Sequence, residues 1–231
     1  MEIIIVLIIV LVILKILILL NLKKANQICK NKELDELTNL LPDNKTVCAK
    51  ILQMIDNKDV KVEESVDPKS ESSFYFVLTN SIKIANIQGS FTRIQTIAHE
   101  CIHSIQNKHM LLFNFIFSNI YLIYFVFAII LTLTKVYTNI NLQAIILLLL
   151  GLIYYFIRIT LETDAILRSK DLAEGYLVKS EKFKTEEIEQ IIAIYDKINK
   201  IGIRVINYQM IFNVLVKIGI FLSISILFVE K

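Results

Sequence analysis

The chain has 231 residues, 55% of them hydrophobic, and a mean hydropathy of +0.59. One small core cannot hide that much apolar surface, which excludes an ordinary soluble domain and puts much of the chain against lipid. Its 25 basic and 22 acidic residues give a net charge of +3 with no basic stripe interleaved with aromatics, which excludes nucleic acid as a partner. Cys29, Cys48 and Cys101 form no CxxC pair, so neither a disulfide framework nor a cysteine-based zinc site is expected.

In chain order, the first feature is the apolar run at 3–20, IIIVLIIVLVILKILILL, interrupted only by Lys15, which lies near enough to one end to snorkel. Only Glu2 is charged before the run, and it ends in Leu-Leu-Asn rather than in small residues. An uncleaved membrane anchor is therefore expected over 1–22. At 45–57, Val47, Ile51, Leu52 and Ile55 recur at helical spacing. The stretch SSFYFVLTN (72–80) is aromatic and β-branched enough for a strand. SIKIANI (81–87) alternates and reads as a second strand or as a linker to the next helix. Thr92 followed by Gln95 has the pattern of a capping box and opens a helix near Arg93.

A second apolar run covers 111–133. A third, AIILLLLGLIYYF, covers 144–156 with an upstream extension from 140, and is short enough to need shielding by its neighbours. The segment at 185–201, TEEIEQIIAIYDKINKI, has acids in its first turn and lysines in its last, the marks of a helix. Its stripe of Ile188, Ile191, Ile192 and Tyr195 belongs in a core. A fourth run covers 211–229 around Lys217.

Lys23, Lys24, Lys108, Arg158, Arg168, Lys170 and Arg204 flank the runs on one side, and Lys135 and Lys231 on the other. By the positive-inside rule the N-terminus lies outside, while 23–110 and 158–210 lie in the cytoplasm. Membrane helices then occupy 1–22, 111–157 (two of them) and 211–231. Two hydrophilic segments far apart in sequence share one side and can build one site together.

The chemistry concentrates in TIAHECIHSIQ, 96–106. On a helix, Ile94, Ile97, Ala98, Cys101, Ile102 and Ile105 share one face, and Thr96, His99, His103 and Gln106 share the other. His99 and His103 point the same way one turn apart, a spacing at which two imidazoles can hold one Zn²⁺. Glu100 lies on the flank, placed as a general base for water without being a ligand. This is the logic of HExxH. Cys101, on the apolar face, reads as a buried small residue.

A hydrolytic zinc needs a third protein ligand. His109 follows His103 by six residues, but Gln106 stands where a glycine would have to turn the chain back, so the chain carries His109 away. Acids in the second hydrophilic segment fit better. Glu162 and Asp164 sit among Ile157, Ile159, Leu161, Ala165 and Ile166, and ionised groups in an apolar setting need a reason. Glu162 is expected as the ligand and Asp164 as the acceptor for a ligand imidazole's other N–H, with the roles open to exchange. Tyr176 and Arg168 are candidates for stabilising an oxyanion. The expected fold is mainly α: a polytopic helical membrane protein of about four spans, with a zincin-like HExxH helix and a small β element on the cytoplasmic side.

HECIHSIQ (99–106) and LETDA (161–165) resemble the HExGHxxQ and ExDA motifs of the bacterial membrane zinc metallopeptidase family typified by YugP. The helix upstream, the VKV at 60–62 and the Val-Asp-Pro at 66–68 are similar to that family's pattern too. Ile102 stands in place of its glycine, Ser104 in place of its alanine and Ile166 in place of its serine. The resemblance implies a zinc-dependent peptidase with His99, His103 and Glu162 as ligands and Glu100 as the catalytic base. The expected partners are the lipid bilayer and a polypeptide substrate at its surface, which the strand at 72–80 could hold by edge pairing. The alternative is a membrane protein that binds a metal or a partner without catalysis.

Overall fold

The computed structural model describes residues 2–65, 72–136 and 139–229. The Val-Asp-Pro at 66–68 and Lys231 lie outside them. The chain is mainly helical. In order, the elements are α1 (Glu2–Cys29), α2 (Lys32–Thr38), α3 (Asn44–Met54), β1 (Lys61–Glu64), β2 (Phe74–Phe76), β3 (Ser81–Ile84), α4 (Arg93–Ile105), α5 (Lys108–Leu133), α6 (Ile140–Ser180) and α7 (Thr185–Val229). Four of these helices, α1, α5, α6 and α7, are long and apolar enough to cross a membrane, consistent with a membrane protein. They leave large apolar side chains uncovered, such as Ile3 (73% exposed) and Ile123 (66%), as lipid-facing helices do.

The chain forms two compact units. One contains Met1–Leu22, Leu112–Thr160 and Arg204–Lys231. Tyr121, Ala128, Leu147 and Phe221 make its buried cluster. Helices approach closely at Gly151, where an added Cβ would lie 2.6 Å from Val214 Cγ1 and 2.9 Å from the Tyr121 hydroxyl. Tyr155 donates its hydroxyl hydrogen to Asn207 Oδ1 at 2.6 Å. The Lys217 ammonium lies 4.1 Å from the Tyr121 ring centroid, and that of Lys15 lies 5.9 Å from the Phe212 ring centroid. Small residues at the contact and polar links across it are what helices packed in lipid require.

The other unit contains Lys23–Leu111 and Leu161–Ile203. Its core gathers Val47, Cys48, Ile51 and Leu52 of α3, Ile82 and Ile84 of β3, and Ile94, Ile97, Ala98 and Cys101 of α4, with Ala173, Leu177, Ile191 and Tyr195. The stripe at Ile188, Ile191 and Tyr195 thus packs inward. Cys101 is buried with its Sγ 3.7 Å from Cys48 Sγ, and both are free thiols. Three strands form a sheet in the order β1-β3-β2, β1 parallel and β2 antiparallel to β3.

Several elements differ from expectation. The strand expected over 72–80 is only Phe74–Phe76, because the chain turns at Asn80, whose φ is 48° and whose amide donates to Asp59 O at 3.1 Å. SIKI forms the central strand β3, and β1 joins it although its charged KVEE sequence carries no strand pattern. The helix expected at 185–201 and the hydrophilic segment from 158 do not stand apart from the apolar runs. Each continues through one as a single rod of 41 or 45 residues. Ile105, placed on the apolar face of α4, is 36% exposed.

Helix α4 starts at Arg93 as expected, but no capping box forms. Thr92 has helical φ and ψ, and its hydroxyl pairs with Ser90 Oγ at 2.8 Å instead of the helix N–H groups. Arg93 fixes the helix start. Fully buried, its guanidinium donates to Pro42 O (2.9 Å), Thr38 O (3.0 Å), Leu41 O (3.3 Å), Asn44 Oδ1 (3.0 Å) and Gln88 Oε1 (3.3 Å). Tyr195 of α7 donates to Phe91 O at 2.6 Å just before the helix. The backbone at Gln106 is extended (ψ 163°) and ends it.

Candidate metal centre

His99 and His103 sit one turn apart on α4, and Glu162 reaches them from α6. The donor atoms of these three residues lie within 4.8 Å of one another, and the group could hold a metal ion. His99 Nε2 is 3.1 Å from His103 Nε2 and 3.3 Å from Glu162 Oε2, and His103 Nε2 is 3.7 Å from Glu162 Oε1. Tetrahedral donors ~2.0–2.1 Å from a common ion stand ~3.3–3.4 Å apart. The observed separations lie near that value, with each histidine facing a different oxygen of Glu162, so the donor set fits a metal ion. The site is sheltered, with His103 and Glu162 buried and His99 half-buried. An anion and two imidazoles held this close out of water need a shared proton or a cation to balance them.

Gln106, one position past the end of α4, settles the orientation of His103. The Gln106 amide Nε2 donates to Leu161 O at 2.8 Å and to Asp164 Oδ2 at 2.7 Å. Both partners are acceptors, so the amide nitrogen must face them and Oε1 must face His103 Nδ1, 2.8 Å away. His103 Nδ1 therefore carries a proton, and whenever the ring is neutral it is the Nε2 lone pair that faces His99 and Glu162. That is the tautomer a metal ligand needs.

Asp164 does not take the place expected for it. It is not bonded directly to a ligand imidazole. It holds Gln106, which holds His103, and it also faces Arg168 at 3.4 Å. Gln106 shares the ligand face by its spacing, but its hold on His103 is seen only in the structure. The signal in the sequence is an amide three residues after a ligand histidine, on the same helix face.

Glu100 is 6% exposed and belongs to none of the metal-facing pairs. Burial pushes its carboxyl above the ordinary carboxylate range. The charges of His99 and His103 pull it back, Glu162 opposes them, and a hydrogen bond from the Tyr75 backbone lowers it again. For His103, burial alone would lower the imidazole. The hydrogen bond and charge of Glu162, with Glu100 and Gln106, outweigh it and hold the group above its usual value. Tyr75 lies on β2, an edge strand of the sheet, so a sheet edge runs beside Glu100.

The remaining candidates lie elsewhere. His109 is exposed near the start of α5, where its N–H bonds Asn107 Oδ1 at 2.9 Å. The break between α4 and α5 separates it from the site. Tyr176 is buried in the core cluster, and Arg168 pairs with Asp164, so neither is in the metal group. The chain matches no protein-family model, no curated protein and no solved structure.

Proposed function

We propose that the protein is a membrane-embedded zinc metallopeptidase with a zincin-like HExxH helix, hydrolysing peptide bonds of membrane or membrane-proximal polypeptides. The observation that carries this reading is the convergence of His99, His103 and Glu162 at 3.1–3.7 Å beside a buried carboxylate, Glu100, that is not one of them. Two imidazoles and one carboxylate are a catalytic donor set for Zn²⁺, because three protein ligands leave a fourth position open. When bound, the ion supplies Lewis acidity, polarising a carbonyl and lowering the pKa of water towards ~7.

The chain's own groups do the rest. Glu100 takes a proton from the attacking water and returns it to the leaving amine. Its burial suits it to both tasks, since a carboxylate with raised proton affinity is a stronger base. Gln106 keeps His103 in one tautomer, and Asp164 keeps Gln106 in one orientation. The edge strand β2 offers main-chain groups to an extended peptide. The distribution of Lys and Arg supports a cytoplasmic site with the N-terminus outside.

Metal analysis of the purified protein, paired with cleavage of a membrane reporter, tests the proposal. Glu100→Gln should keep its zinc and lose at least about a hundredfold in rate. Equal cleavage by both proteins would remove Glu100 from the mechanism. Zinc without cleavage in either would favour a metal-binding protein that is not an enzyme.

A further inference from the structure

A cleft of ≈330 Å³ opens beside His99. Its walls continue the helix faces that carry the ligands. Thr96 of α4 and Thr92, just before its first residue, lie one and two turns before His99. On α6, Ile166 and Ser169 lie one and two turns after Glu162. Asn199 and Gly202 of α7 supply a third wall. A chain whose scissile bond lay at the ligands would thus meet the cleft next to the reacting carbonyl.

Among the described residues, no Lys, Arg, Asp or Glu lines this cleft. Four of its polar side chains are already engaged. Thr96 Oγ1 donates to Thr92 O at 3.2 Å and Ser169 Oγ to Ile166 O at 2.9 Å. The Gln95 amide donates to Asn199 Oδ1, and Asn199 Nδ2 donates to Ile166 O at 3.2 Å. A charged side chain seated here would meet no countercharge among the lining residues. The volume lies at the small end of the range for ligand sites.

We propose that this cleft is the subsite for the substrate side chain adjoining the scissile bond, that it selects an uncharged apolar residue, and that Gly202 sets its depth. The proposal rests on the metallopeptidase reading. Gly202 gives a direct probe of it. A Cβ added there meets only Ile166 Cδ1, at 4.0 Å, so a larger side chain can grow into the cleft without striking the core.

The test uses the zinc-loaded full chain in detergent and peptide hydroxamates that differ in one side chain: Ala, Leu or Lys. The Leu compound should bind about tenfold or more tighter than the Lys compound. Gly202→Leu should lower the Leu-to-Ala affinity ratio by about tenfold and leave zinc content and acetohydroxamate binding unchanged. Gly202→Ala should fall between. A protein that binds acetohydroxamate but treats Leu and Lys alike overturns the subsite alone. So does a Gly202→Leu variant that weakens every hydroxamate equally. A chain that takes up no zinc and binds no hydroxamate overturns the metallopeptidase reading and the subsite with it.

Discussion

Gln106 decides which nitrogen His103 presents, which in the proposed zinc site makes it a positioning residue. Gln106→Ala should weaken zinc binding by about 10–100-fold in a chelator competition. Asp164→Ala should weaken it less, because Leu161 O still holds the amide nitrogen of Gln106. A larger loss from Asp164→Ala would place the aspartate closer to the metal than Gln106. Another single-residue effect lies at the start of α3, where Asp43 accepts from the Thr46 N–H and from its hydroxyl, both at 2.8 Å. The Thr46 backbone bond first, then its side chain, hold the Asp43 carboxyl below its usual value. A depressed carboxylate stabilises the fold above its unfolded pKa and loses that contribution as pH falls through the folded value. Asp43→Ala should therefore melt lower than wild type at neutral pH, and the gap should close as the pH drops below the ordinary aspartate range. A pH-independent gap would mean that the cap does not act through its charge. At this scale much of the site was legible. His99 and His103 followed from i, i+4 spacing, and Glu162 from the cost of an acid in apolar surroundings; these three converge in the structure. The relay through Gln106 was not, because it depends on where α4 ends and which carbonyl of α6 comes near.

Helices carry the architecture, and their glycines show where packing is tight. Gly151 and Gly202 both sit inside long helices, yet they predict opposite outcomes. A Cβ at 151 would stand 2.6 Å from Val214 Cγ1, too near for any real contact, whereas at 202 the nearest atom is 4.0 Å away. Gly151→Ala should cost ~1–3 kcal/mol through overpacking. Gly202→Ala should be neutral or add up to ~1 kcal/mol, the difference in helix propensity. Thermal melts of the two variants compare them directly, and equal melting points would contradict the packing seen here. Arg93 anchors α4 in a different way, by donating to three backbone carbonyls and two side-chain oxygens in a fully buried position. Arg93→Met takes the donor from the buried Leu41 O and Asn44 Oδ1, while Thr38 O keeps the Leu41 N–H and the exposed Gln88 turns to water, and should cost on the order of 3 kcal/mol. Element types were mostly legible and element lengths were not. Hydropathy changes within α6 and α7, but no proline interrupts either helix, so the backbone has no cause to break where the composition does. The reverse holds for β1, four residues of KVEE that become a strand because β3 lies alongside to pair with them.

At the scale of the whole molecule, the site constrains how the chain threads the bilayer. His99 and His103 precede α5, and Glu162 lies past the apolar part of α6. Two apolar stretches therefore separate residues whose donor atoms stand 3.3 and 3.7 Å apart. On the proposed membrane reading, residues so close share one side of the bilayer, so an even number of crossings separates them. The apolar run at 144–156, short as it is, must then cross whenever α5 does. The distribution of Lys and Arg leads to the same expectation for 23–110 and 158–210, and adds that the N-terminus and Lys135 lie on the other side. Cysteines introduced singly at Lys58 and Lys182, both exposed, should react with a membrane-impermeant thiol reagent from the same side. One at Lys135 should react from the opposite side. Labelling of positions 58 and 182 from opposite sides would mean that one run does not cross. The metal centre could then not assemble within a single chain, and the proposed enzyme would fail with it.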